Sequence, residues 1–482
     1  MVGCTEPAPL SLDVQNPCDQ ATVRDADRVI VVAEELNTGE RWSGSFSKES
    51  ESGKLPEIPI GARVSFDVSL SRDGEIYAWG AAKPFVMEAE TLVQPSVQPS
   101  RVGAFTRPHA PGNSALCAGY ESGRVGGNIL RLESGDLLHI GGYTVADTIS
   151  YNRSVERWSA LDNSLSVVST LEYPRVDDSA VQLSDGSYVL SGGRFEAVQS
   201  ATGAREMSYF TLAIHVSAEG VVDSTPGILS KSRAGHSAHL LSDGRVWLLG
   251  GRGGTGGVLE TELYDPATKV SELGPTLTTA RWNAGMIALD DDTVVLVGGE
   301  NESGLLDSIE ILKLDESAGT LSPLLLSEAR TRPAIVHDGN TFWVLGGGTV
   351  SGDDFNEGRG SKAIDGLERG GSGLVQLCED TALSLEDGRF LGAFVQGSEA
   401  AYLAGGYDQN GVLLKNLVQL NFEELRSCAP DQGIPLAELG EARAFLGAAL
   451  VEPSVLVFGG GQSREGGDVS SSSRVEFYRK AR

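Results

Sequence analysis

The sequence predicts an all-β protein: a seven-bladed β-propeller, each blade a four-stranded sheet, preceded by a small β-sandwich. Three observations predict it. Double glycines recur at Gly141, Gly192, Gly250, Gly298, Gly346, Gly405 and Gly459, 48 to 59 residues apart, each closing a short apolar run such as VWLL or VVLV. An arginine stands 16 or 17 residues before each of them, at Arg124, Arg175, Arg233, Arg281, Arg330, Arg389 and Arg443. Glycine is abundant, 61 of 482 residues, and its regular spacing assigns it to turns rather than to disorder. Self-similarity at about 40–50 residues marks a propeller array, in which stacked repeats bury one another's sheets.

Residues 233–273 show the unit most plainly. Two apolar runs flank the turn Ser242-Asp243-Gly244, and Gly250-Gly251 closes the second run. After a Gly-rich loop, a third strand reaches the turn Asp265-Pro266 and a fourth follows. Asp-Gly and Asp-Pro supply the backbone geometry of tight turns, so the unit reads as one antiparallel sheet. Two repeated tetrapeptides support the register: FLGA from Phe390 and Phe445, and LVQL from Leu374 and Leu417. The Asp-Gly turn, the double glycine after an apolar strand and the DPAT turn resemble kelch repeats over roughly residues 100–482. That resemblance implies a kelch-type propeller. It departs in one respect, since the tryptophan usual in the last strand of a kelch repeat is matched only by Trp158.

Residues 11–90 lie outside the repeat. Val64, Phe66, Val68 and Leu70 alternate with Ser65, Asp67 and Ser69, as in a half-buried strand, and the turn Asp73-Gly74 makes a hairpin with Ile76, Tyr77 and Trp79. This segment resembles immunoglobulin-like or carboxypeptidase-regulatory-like modules in pattern. Residues 1–10 read as a tether and 91–101, with its repeated Gln-Pro-Ser, as a linker. Residues 102–482 form the propeller. The chain stops one strand short of a complete last blade, so a strand within residues 100–117 should close it, because a propeller hides its edges.

A net charge of −28 excludes nucleic acid and an anionic membrane surface as direct partners. No run of 18 apolar residues occurs, so no membrane-spanning helix is expected. Met1-Val2-Gly3-Cys4 resembles the end of a bacterial lipoprotein signal, and the whole then resembles bacterial kelch-containing envelope lipoproteins. This implies a lipid on Cys4 and an envelope location; without it the protein is cytoplasmic. The remaining cysteines, Cys18, Cys117, Cys378 and Cys428, show no CxxC spacing and suit two disulfides in an exported protein, with Cys378–Cys428 the favoured pair.

The seven arginines precede the innermost strands, so a ring near the channel mouth is expected. There they either bind an acidic group of a ligand bidentately or bond carbonyls or acids of the adjoining blade and so staple the disc. Residues 349–371 form the largest insertion, after a double glycine, and mark the face where a partner would sit. The acidic run Asp290-Asp291-Asp292 occupies a turn position. Arg252 to Gly257, RGGTGG, lacks the Lys-Ser/Thr of a phosphate loop. Histidine is scarce, and no constellation for catalysis, metal or cofactor stands out. The expected function is therefore a non-enzymatic binding or scaffold protein, a monomer, with a protein or glycan partner. The alternative is a propeller enzyme, a galactose-oxidase-like copper oxidase or a glycan-acting hydrolase or lyase.

Overall fold

The computed structural model describes residues 25–47, 58–87 and, apart from short segments, 99–479, together with 13–14 and 96–97. In the third blade Ser237–Leu240, Val246–Leu249, Glu260–Asp265 and Val270–Thr276 pair antiparallel in chain order. Every residue of Val246–Leu249 is buried, because the second strand has neighbouring blades against both faces and so reads as a continuous apolar run. Asp265 fixes the last turn by accepting from Ala267 N–H at 2.8 Å. The first strand of each blade touches the first strands of both neighbours, from Asn128–Arg131 round to Gly447–Glu452 and back. Seven sheets therefore close one ring.

The last blade is completed from the other end of the propeller. Phe105–Thr106 pairs with Val475–Arg479, Phe477 opposite Thr106. This closure is noncovalent and joins the first and last strands of the ring.

Three local expectations differ from the structure. In blade seven Gly459 ends the strand Val455–Gly459, and the left-handed pair is Gly460-Gly461, at φ 69° and 109°. The FLGA echo is thus one residue out of register: Leu391 of the first copy and Phe445 of the second occupy equivalent positions. In blade five the third strand is Ala363–Gly370, and Gly373–Leu377 extends it as a hairpin. The LVQL copies therefore also fall in non-equivalent strands. Ala363–Gly370 looked like loop because Asp365, Glu368 and Arg369 interrupt it, yet Ile364 and Leu367 are buried.

The N-terminal unit is a five-stranded sheet in the order Arg41–Ser47, Arg28–Glu35, Arg63–Arg72, Glu75–Val86, Ser100–Arg101. Val31, Val64, Phe66, Val68 and Leu70 form its core. A short parallel pair, Asp13–Val14 with Ser96–Val97, covers that face. Residues 96–97 and 100–101, read as linker, thus belong to this unit, anchored by buried Val97 and the pairing Trp79↔Ser100. Trp79 also packs with Tyr120, Trp158 and Val475 of the propeller. Trp158 itself ends the third strand of its blade, Ser154–Trp158.

Candidate binding face and its arginines

All seven arginines lie inside the blades, none more than 2% exposed. Their backbones explain the repeat signature. In every blade the second glycine of the pair donates its N–H to the carbonyl of the next blade's arginine, at 2.6–2.9 Å, and Gly461 closes the circle on Arg124. A side chain on the first glycine would collide with that same carbonyl: at Gly250 a Cβ would stand 2.5 Å from Arg281 O, at φ 65°. The guanidinium then turns into its own blade, not to the adjoining one as expected, because the acid that pairs with it stands on that blade's third strand. Arg233 donates to Gly250 O at 2.8 Å and to Glu262 at 2.6 Å, and Arg281 to Gly298 O at 2.9 Å and Glu310 at 3.2 Å. Arg124 pairs likewise with Glu156, Arg330 with Asp365 and Arg443 with Glu476.

The acid always comes from the third strand, opposite the residue two before the double glycine. It also caps the incoming connection. Glu262 accepts from the N–H of Ser230 and Lys231, Glu310 from Thr278, and Asp365 from Ser327. Two blades break the rule. The equivalent position is Ile214 in blade two and Val418 in blade six. Among the described residues Arg389 bonds Gly405 O at 2.7 Å and no third-strand acid, and burial lowers its pKa to about 10 although Asp387 and Glu386 oppose this. Among the described residues Arg175 has no hydrogen-bond partner on any of its three nitrogens. Its guanidinium lies over the Phe210 ring, 5.2 Å from the centroid, and burial lowers its pKa despite nearby Asp178.

Two residues beyond each arginine the backbone turns left-handed. Gly126, Asp177, Gly235, Asn283, Arg332, Leu391 and Phe445 all have φ between 48° and 65°. They meet neighbours around the axis: Gly235 N–H donates to Asp177 O, Asn283 to Gly235, Arg332 to Asn283, Phe445 to Leu391 and Gly126 to Phe445. Four of the seven are Gly, Asp or Asn, the residues that tolerate this conformation. That Arg-x-Gly/Asp/Asn signal was present in the sequence and was missed.

Side chains at the axis do not follow the sevenfold pattern. Asp177 of blade two accepts from Arg194 of its own blade at 2.7 Å and from Arg332 of blade five at 2.8 Å, a bond across the channel. Burial alone would raise the Asp177 pKa, but Arg332 and Arg194 hold it far below the usual carboxylate range. Arg252 lies over the Trp282 ring at 5.3 Å, and Asn283 donates to Glu300 at 2.9 Å. Above this floor rise hairpins that start at the double glycines, including Tyr143–Val145 with Ile149–Tyr151 and Arg194–Val198 with Arg205–Tyr209. Arg359 carries the return of the insertion at 349–371, donor to which is Thr349 N–H at 3.0 Å; residues 352–357 and 371–372 lie outside the described residues.

Cys378 and Cys428 are joined by a disulfide, Cα to Cα 5.5 Å, between blades five and six. Cys4 and Cys18 lie outside the described residues. The acidic run is a turn: Asp291 accepts from Ser242 N–H and hydroxyl, both 2.6 Å, and Asp290 from Arg369 at 2.9 Å. Among the described residues no three His, Cys, Asp or Glu side chains converge as a metal site would.

No protein-family model matches the chain, and no curated protein matches it. Among solved structures, YjhT is similar at a TM-score of 0.46 and 12% identity, over 64% of this chain and 97% of YjhT. A fungal alcohol oxidase of the AA5 family, in complex with copper, is similar at a TM-score of 0.55 and 14% identity, over 75% of each chain. The second likeness shows the fold alone. The chain is a kelch-like β-propeller.

Proposed function

We propose that this protein is a non-enzymatic binding module that presents its double-glycine face to a protein or glycan partner. One observation carries the reading. On a backbone that repeats sevenfold, the side chains at the axis on this face differ from blade to blade, and the hairpins above them differ in length. Symmetric positions serve the ring, whereas a binding site needs particular groups in particular places. Arg252 on Trp282 and the ion cluster around Asp177 supply polar and aromatic anchors of the kind that dominate interfaces.

The test is a glycan and peptide array probed with the full chain and with a variant whose Arg194–Val198/Arg205–Tyr209 hairpin is shortened. Selective binding that the variant loses supports the reading; equal binding by both overturns it. The competing expectation, a copper oxidase, would show as stoichiometric copper in metal analysis of the purified protein together with alcohol oxidation. Export to the bacterial envelope belongs to the same proposal, supported by the Cys378–Cys428 disulfide, which suits an oxidising compartment. Mass spectrometry of the native protein tests it through a diacylglyceryl group on Cys4.

A further inference from the structure

In blade two Ile214 stands where five other blades carry the acid that pairs with the repeated arginine. In blade three the site is complete: Glu262 takes one charged hydrogen bond from Arg233 at 2.6 Å, two from the N–H groups of Ser230 and Lys231 at 2.6 and 2.9 Å, and one from the Ser271 hydroxyl at 2.7 Å. The two N–H groups stand three and two residues before the arginine. In blade two those positions are Glu172 and Tyr173, the arginine is Arg175, and the acid's position is Ile214. Arg175 is fully buried and unpartnered. All four of these residues line one cleft of about 300 Å³ between blades one and two.

A buried guanidinium without a hydrogen-bond partner is costly, and the Phe210 ring and the charge of Asp178 offset that cost only in part. Asp178 is near enough to act on its charge, but the two side chains make no hydrogen bond to each other. The Glu172 side chain is exposed, and Asp223 at the cleft is engaged by Lys269 at 2.6 Å. Leu171, Leu212, Val222 and Pro226 supply an apolar part of the wall, and Ser169, Thr170, Asp223 and Ser224 the polar remainder.

We propose that this cleft binds the carboxylate of a ligand carried on a short apolar chain, which takes the place that Glu262 fills in blade three. The carboxylate accepts from the Arg175 fork and from the N–H groups of Glu172 and Tyr173, and the apolar chain lies against Leu212 and Ile214. This site lies between two blades, away from the axis, and does not rest on the proposed role of the double-glycine face.

The test uses the full chain with butanoate and hexanoate as probes, against butanamide and hexanamide at matched ionic strength, read by titration calorimetry and thermal unfolding. The acids should bind saturably and raise Tm, and the amides should not. Ile214→Glu rebuilds the internal acid: it should raise the Tm of the unliganded protein by about 2–4 °C and weaken acid binding at least about tenfold, a loss within the range for a hydrogen bond to a charged group. Arg175→Met should abolish acid binding while the protein stays folded. Equal binding of acids and amides, no binding of either, or unchanged acid binding in Ile214→Glu each overturns the proposal. A Tm loss in Ile214→Glu overturns it too, since the cradle would then be filled already, with Asp178 the nearest candidate.

Discussion

Arg332 of blade five reaches across the propeller axis to Asp177 of blade two, Nη2 to Oδ1 2.8 Å, while Asp177 also accepts from Arg194 at 2.7 Å. Both residues sit at the left-handed position two residues beyond one of the repeated arginines. The repeat thus places the two backbones symmetrically, and two unlike side chains turn that symmetry into a cross-channel bond.

A double-mutant cycle on this pair should show coupling. Asp177→Ala and Arg332→Ala are each expected to destabilise, and the double variant should cost less than their sum by about 0.5–3 kcal/mol, the range for groups sharing one network. Urea unfolding of the four proteins measures it. Additive losses would mean that the bond contributes nothing.

Acid should weaken the fold through buried histidines. His139 donates to Gly126 O at 2.8 Å; burial, with Arg124 adding to it, lowers its pKa to about 3. His236, 2.8 Å from the Ser191 hydroxyl, is lowered well below its ordinary value by burial and by Arg233. In the unfolded chain both titrate near 6.5. Stability is therefore fully present above that pH and is lost as pH falls below it, because the unfolded state takes up the protons. His139→Gln and His236→Gln should each make the loss between pH 6 and 4 shallower by about 1.4 kcal/mol per pH unit. Asp178 works the other way. Burial pushes its pKa up to about 6, so the folded state gains a proton on acidification, and Asp178→Asn should steepen the loss.

Removing the Cys378–Cys428 bond, which spans 50 residues, should lower stability by about 2–4 kcal/mol. Denaturant unfolding of the Cys378→Ala/Cys428→Ala variant checks this against the oxidised protein. An unchanged midpoint would mean that packing of blades five and six does not depend on the bond.

Much of the ring was legible because its signature is the hydrogen bonding itself. Gly250-Gly251 and Arg281 recur in register since one carbonyl must meet one N–H at close range in every blade. Strand identity was less legible. LVQL at Leu374 and at Leu417 satisfies the same alternation whether it extends a hairpin or forms a third strand, and a period of two cannot tell them apart. The axis was least legible. Asp177 and Arg332 lie 155 residues apart, and nothing local in either segment announces the other. The partners of the seven arginines were hidden for a related reason. Glu262 reads as one polar residue in a strand until the fold sets it beside Arg233, and Ile214 is unremarkable until its counterparts are known to be acids.

The direct test of the arginine assignment is the unfolding free energy of Arg→Met variants across the ring. Arg124, Arg233, Arg281, Arg330 and Arg443 should each cost about 3–5 kcal/mol, because the substitution strands a buried carboxylate. Arg389, bonded to Gly405 O with no third-strand acid, should cost less. Arg175→Met should be neutral or stabilising, since it replaces an unpartnered buried charge by an apolar side chain of similar size. A uniform loss across all seven variants, or a loss at Arg175 as large as at Arg233, would contradict the division into five paired staples and one vacant cradle.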